Sequence, residues 1–115
     1  MLDPAIVAWH DAVNTQDLDA ARATVTDPVE VAGPRGTQDL SADAFTGWIV
    51  RSGIRLRPLA GHPIDATTTV VEQEATWPET PEPVTVATLF RVRDGVVSAV
   101  HRFDSLPEAL RAAGR

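Results

Sequence analysis

The feature that most constrains this chain is a change of hydrophobic period at Gly53. Before it, apolar residues recur at three- and four-residue spacing, the mark of helices with one buried face; after it they alternate in β-branched runs, the mark of strands. A chain of 115 residues is long enough for one core and too short for two ordinary domains, so a single domain over residues 1–115 is expected. Helices and strands segregated in this way predict an α+β fold: three N-terminal helices and a short C-terminal one wrapped on a curved antiparallel sheet.

The boundaries follow from local chemistry. Asp3-Pro4 is an N-cap acceptor followed by proline at the first helical position. The first helix carries Ile6, Trp9, His10 and Val13 on one face, and Asn14-Thr15 ends it. A second helix is expected over about residues 16–26, burying Leu18, Ala21 and Val25, with Asp27-Pro28 as its stop. Val29-Glu30-Val31 reads as a short strand closed by the turn Gly33-Pro34-Arg35-Gly36. Ser41 caps a third helix to about Ser52, with Phe45, Trp48 and Ile49 on its stripe and Gly53 at its end. Strands are then expected over Ile54–Ile64, Thr67–Trp77, Val84–Arg93 and Val96–Asp104, the last two joined by the tight turn Asp94-Gly95. The proline-rich segment 78–83 is expected to be a mobile hairpin tip. Ser105-Leu106-Pro107-Glu108 has the form of a capping box opening a last helix.

Composition removes whole classes of function. The formal charge is −6 and the ten basic residues, all arginine, are scattered, which disfavours a nucleic-acid partner. No apolar run approaches the length of a membrane span, and Met1-Leu2-Asp3-Pro4 has no basic leader, so no membrane partner and a cytoplasmic location are expected. Cysteine is absent, and the three histidines, His10, His62 and His101, have no metal-ligand spacing. Neither a metal nor a cofactor is expected.

The element order, with Gln16-Asp17-Leu18-Asp19-Ala20-Ala21 opening the second helix, Gly33-Pro34-Arg35-Gly36 after the first strand and Phe90-Arg91-Val92-Arg93-Asp94-Gly95-Val96-Val97 at the last hairpin, resembles the nuclear-transport-factor-2-like superfamily. Its SnoaL-like polyketide cyclases and ketosteroid isomerases are the most similar branches, and the resemblance covers about residues 3–112. It implies a cone-shaped fold, a pocket between helices and sheet that admits a small hydrophobic molecule, and a homodimer formed through the sheet. The isomerase set does not carry over. Its carboxylate base would fall near Gly33, its oxyanion tyrosine has no counterpart in a chain without tyrosine, and its oxyanion aspartate corresponds to Thr88.

Other polar residues are candidates for acid/base work. Asp104 stands where SnoaL-like enzymes carry a carboxylate, His101 precedes it by three residues, and Glu30 enters the cone if its flanking valines pack outward. Arg102 would share a face with Asp104 and form a polar floor, and Arg35 could orient an anionic substrate. Trp9, Trp48, Trp77 and Phe90 are the candidate aromatic wall, with Thr88 and Arg102 among the ligand contacts. On the strand 67–77, Val71, Gln73, Ala75 and Trp77 share one face, and Glu72 and Glu74 share the other with Val70. Two readings result: a binding domain for a hydrophobic small molecule, or a SnoaL-like enzyme that moves a proton with Asp104 and Glu30 or His101.

Overall fold

Asp3 opens the first helix as its sequence requires: the carboxylate accepts the Ala5 amide at 2.8 Å, and Pro4 takes the first helical position. In the computed structural model, which describes residues 2–33 and 36–114, α1 runs Pro4–Thr15 and ends at Gln16 in the left-handed region, with φ 54°. Helix α2, Leu18–Ala23, is capped by the Asp17 carboxylate and stops three residues earlier than its period suggests. Thr24 turns the chain, and strand β1 begins at Val25 because its backbone is claimed by a distant partner: the Val97 amide donates to the Thr24 carbonyl at 2.8 Å. Tertiary pairing of Val25 with Val97 thus overrides a weak helical preference.

Strand β1, Val25–Gly33, is longer than its three central residues predict, and it is followed by a strand the sequence does not announce, β2 at Gly36–Leu40. The two are antiparallel, from Val29 opposite Leu40 to Gly33 opposite Gly36. Helix α3, Ala42–Ser52, has the expected Ser41 cap, whose hydroxyl accepts the Ala44 amide at 3.1 Å, and the expected Gly53 stop at φ 60°. A side chain there would be strained and would also strike the Pro78 ring, 2.7 Å from its Cβ.

Four antiparallel strands follow: β3 Arg55–Pro63, β4 Thr68–Trp77, β5 Thr80–Arg93 and β6 Val96–Phe103. The proline-rich segment is a hairpin, but a tighter one than its composition suggests, since Trp77 already pairs with Thr80 and the turn is residues 78 and 79. Helix α4, Leu106–Ala112, closes the chain with Ser105 as its cap.

The six strands form one curved sheet in the order β2-β1-β6-β5-β4-β3. The β1–β2 hairpin joins the antiparallel run through a parallel pair, Glu30 beside Ala99 and Val31 beside Val100. Register shifts at Pro58/Ala60, Ala75/Trp77 and Arg91/Val92 bend the sheet. On its hollow face the apolar stripes of α1 and α3 pack through Ile6, Trp9, Val13, Phe45 and Ile49 onto Val71 and Phe90. On the other face α4 lays Leu106, Ala109 and Leu110 over Val70, Ala87 and Leu89. No described helix is long and apolar enough to cross a membrane.

One side chain fixes the helical layer to the sheet edge. Asn14, near the end of α1, donates to the Leu56 carbonyl and accepts the Leu56 amide, both at 2.8 Å, so its amide imitates a neighbouring strand along edge strand β3. Asn14→Ala leaves two edge-strand backbone groups without their partner and is expected to destabilise the fold by about 1–3 kcal/mol. Asn14→Asp, which sets a carboxylate oxygen against the Leu56 carbonyl, should cost at least as much. Urea unfolding measures both, and an unshifted midpoint in either variant refutes the clamp.

Candidate ligand cavity

Between α1, α3 and the hollow face of the sheet lies a cavity of about 640 Å³, within the range that receives small organic molecules. One wall is aromatic. Trp9 from α1 stacks on Phe45 from α3 at 6.1 Å between ring centres, and Phe45 stacks on Trp48 at 6.0 Å, giving three near-parallel rings. The remaining surface is mostly aliphatic, with Val29 and Val31 from β1, Ile54 and Leu56 around the start of β3, Val86 from β5 and Val100 from β6. Phe90 stands behind this wall, fully buried and edge-on to Trp9 at 4.9 Å, so it supports Trp9 without lining the cavity.

Across this apolar floor runs one polar line. Gln73 of β4 is fully buried, with its carbonyl accepting from the Thr88 hydroxyl at 2.6 Å and its amide donating to His10 Nε2 at 2.8 Å. His10 Nδ1–H donates in turn to the Ile6 carbonyl at 2.8 Å, which settles the tautomer and leaves Nε2 as the acceptor. Burial pushes the His10 pKa below its ordinary 6.5, against smaller opposing contributions from the Ile6 carbonyl and Asp11. Thr88 stands directly opposite Arg102 of β6, which also lines the cavity, so the line continues to a half-buried guanidinium. The Arg102 side chain has no hydrogen bond or ion pair with any described residue. The Trp9 indole N–H is likewise buried with no acceptor among the described residues.

No protein-family model matches the sequence, and comparison with curated proteins finds no match. Solved structures do match along nearly the whole chain. An NTF2-like protein of unknown function from Cytophaga hutchinsonii superposes with a TM-score of 0.77 over 93% of this chain and 91% of its own, at 12% identity. The chain has the nuclear-transport-factor-2-like fold. A candidate polyketide cyclase from Sinorhizobium meliloti shares this fold with a TM-score of 0.75 at 20% identity, covering 88% of this chain and 94% of its own. So does TerC, co-crystallised with polyporic acid, with a TM-score of 0.71 at 16% identity and 96% coverage of both chains. At these identities the likeness concerns architecture and leaves the chemistry of the cavity to its own side chains.

Within the nuclear-transport-factor-2-like cone, the residues singled out from the sequence separate by face. Trp9, Trp48, Thr88 and Arg102 line the cavity, as does Gly33. Trp77 lines a smaller recess with Gly53, Arg55 and Pro78 instead, beyond the register shift that follows Ala75. Glu30 does not enter the cone: Val29 and Val31 take the hollow side, and alternation turns Glu30 outward. His101 is turned outward for the same reason, being next to Arg102. There the two meet, with His101 Nε2 and Glu30 Oε2 2.6 Å apart across the parallel pair, on the face away from the cavity. Asp104 is exposed, because β6 ends at Phe103 and the chain bends away before the carboxylate can reach the floor beside Arg102. Arg35 lies outside the described residues.

No Asp or Glu lines the cavity among the described residues, and no cluster of three or more His, Asp or Glu among them could hold a metal ion. The residue that sequence reasoning undervalued is Gln73, and its signal was present. It is the one polar side chain between Val71 and Ala75 on a strand face that is otherwise apolar, a position a protein tolerates only with buried partners.

His10 is neutral in the fold but gains a proton below about pH 6.5 when unfolded. Its contribution is therefore complete above that pH and declines as pH falls from 6.5 toward the lower folded-state value. The stability advantage of wild type over His10→Gln should accordingly narrow on acidification below about 6.5 in thermal unfolding. A difference that stays constant from pH 8 down to about 5 refutes the assignment. Gln73→Leu, which orphans both His10 Nε2 and the Thr88 hydroxyl, is expected to lose about 1–3 kcal/mol for each orphaned group.

Proposed function

We propose that this protein binds a hydrophobic small molecule in the cone cavity and lacks the ketosteroid isomerase catalytic set. The observation that carries the reading is a cavity of about 640 Å³ with a stacked aromatic wall and a polar line held in one orientation by His10. Such a site is prepared before the ligand arrives, so little ordering opposes binding. That TerC was co-crystallised with polyporic acid supports the idea that this architecture receives small molecules. The absence of isomerase chemistry is supported by Gly33 and Thr88 at the positions of the base and the oxyanion aspartate, in a chain with no tyrosine.

The enzymatic alternative draws less support. A SnoaL-like proton transfer through Asp104, Glu30 or His101 needs one of them within reach of the bound molecule, and the cavity lining includes none of the three. We extend the proposal to a homodimer formed through the sheet. Helix α4 already covers Val70, Ala87 and Leu89, so a second copy would use the uncovered part of that face.

Titration with Nile red, a neutral dye that brightens in apolar surroundings, tests the reading. Saturable one-to-one binding is expected for the wild type and its loss for Val31→Trp, which fills the cavity from β1 with an indole. Asp104→Asn should bind as the wild type does. Absence of saturable binding, or equal binding by a folded Val31→Trp, overturns the proposal. Sedimentation equilibrium at micromolar concentration should show a dimer, and a monomer throughout would remove that part.

A further inference from the structure

The cavity has one positive charge that no described residue compensates. Arg102 brings five N–H groups and no acceptor, and none is matched by a described carboxylate or carbonyl. The Trp9 indole N–H is buried without an acceptor among the described residues. Gln73 spends one amide hydrogen on His10 and keeps the second, while Thr88 has given its single hydroxyl hydrogen to Gln73. No described Asp or Glu lines the space to balance the charge. The Trp9 indole and Gln73 are sealed within the packing, so Arg102 is the one charged donor that the space itself offers, in an apolar enclosure where a charge-assisted hydrogen bond is strong.

From this we infer that the cavity selects an amphipathic anion: an aromatic or polycyclic body that lies against Trp48 and the aliphatic lining and carries an acidic oxygen toward Arg102. A carboxylate or an ionised enol or phenol meets the requirement equally, since each offers lone pairs, a negative charge and no competing donor. Thr88 and Arg102 face each other across β5 and β6, with Cβ atoms of such pairs about 4.5–5.5 Å apart, so the oxyanion would sit at one end of the polar line. Gly33, on the neighbouring strand β1, adds no side chain to crowd it, and a Cβ built there would have nothing within 4 Å. The inference rests on the cavity being a binding site, and its test separates the two ideas.

The probe pair is 2-naphthoate and its neutral isostere 2-naphthamide, titrated at pH 7.5 against the full chain and followed by tryptophan quenching. The acid is expected to bind about tenfold or more tightly than the amide, the usual scale of one charge-assisted bond. Arg102→Gln should bring the two within about threefold of each other by weakening the acid alone, and Arg102→Lys should keep most of the preference. If the wild type binds acid and amide equally, the anion preference is wrong while the binding reading stands. If it binds neither probe nor Nile red, both fall. A preference that survives intact in Arg102→Gln reassigns the charge and overturns this role for Arg102. Should Arg102→Gln fail to fold, raising the salt concentration on the wild type decides between the outcomes: the acid must weaken while the amide does not.

Discussion

The bonds from Ile6 through His10 and Gln73 to Thr88 join α1 to the second and third strands of the antiparallel run, and the cavity depends on them. Burying a glutamine and a histidine inside an apolar layer is tolerated because each polar atom in the series has a partner of the right kind. The geometry leaves α1 one rotation about its axis, the one that brings Nε2 to the Gln73 amide. Trp9, next in sequence and packed edge-on to His10 at 5.1 Å, is thereby turned toward Phe45 and becomes the first ring of the wall. The same series commits the Thr88 hydroxyl to Gln73. Arg102 is left facing the cavity without a partner among the described residues, so the polarity of the space is a by-product of how its roof is fastened.

Much of the architecture could be read from residue chemistry because the relevant signals are local. The caps Asp3, Ser41 and Ser105 and the stop at Gly53 stand where the sequence puts them, since a cap needs only a few neighbours. Elements defined by distant pairing were harder. Strand β1 begins inside the expected second helix because its partner is β6, which no window around Val25 contains. Strand β2 is polar and largely exposed, so it has no hydrophobic alternation to betray it. Residues 80–83 look like linker, yet they belong to β5, held between the Thr80 and Val84 pairings with β4. Of the expected aromatic wall, Trp9 and Trp48 line the cavity, while Trp77 and Phe90 lie outside it and Phe45, known only as part of a helical stripe, takes the middle place. Which phase of each strand faces the hollow side was not legible, and that one ambiguity moves Glu30 and His101 together from the cavity to the opposite face.

The fold itself is shared with proteins of 12% to 20% identity, whose side chains have largely been replaced. What persists at that distance is the arrangement of strands and helices. In this chain register shifts bend the strands, and the helices leave a lined space. Its lining combines stacked rings, an amide locked by a neutral histidine, and a single arginine.

The parallel contact between β1 and β6 has a further consequence for how the molecule is made. Glu30 and His101, which meet there, are 71 positions apart in the chain. Local hairpins can close early, but the hollow cannot acquire its floor until Arg102 and its strand have left the ribosome, so the cavity is incomplete on a nascent chain. Closure of that seam joins the first-made hairpin to the last-made strand, and this long-range step, with its high contact order, is the natural bottleneck of assembly.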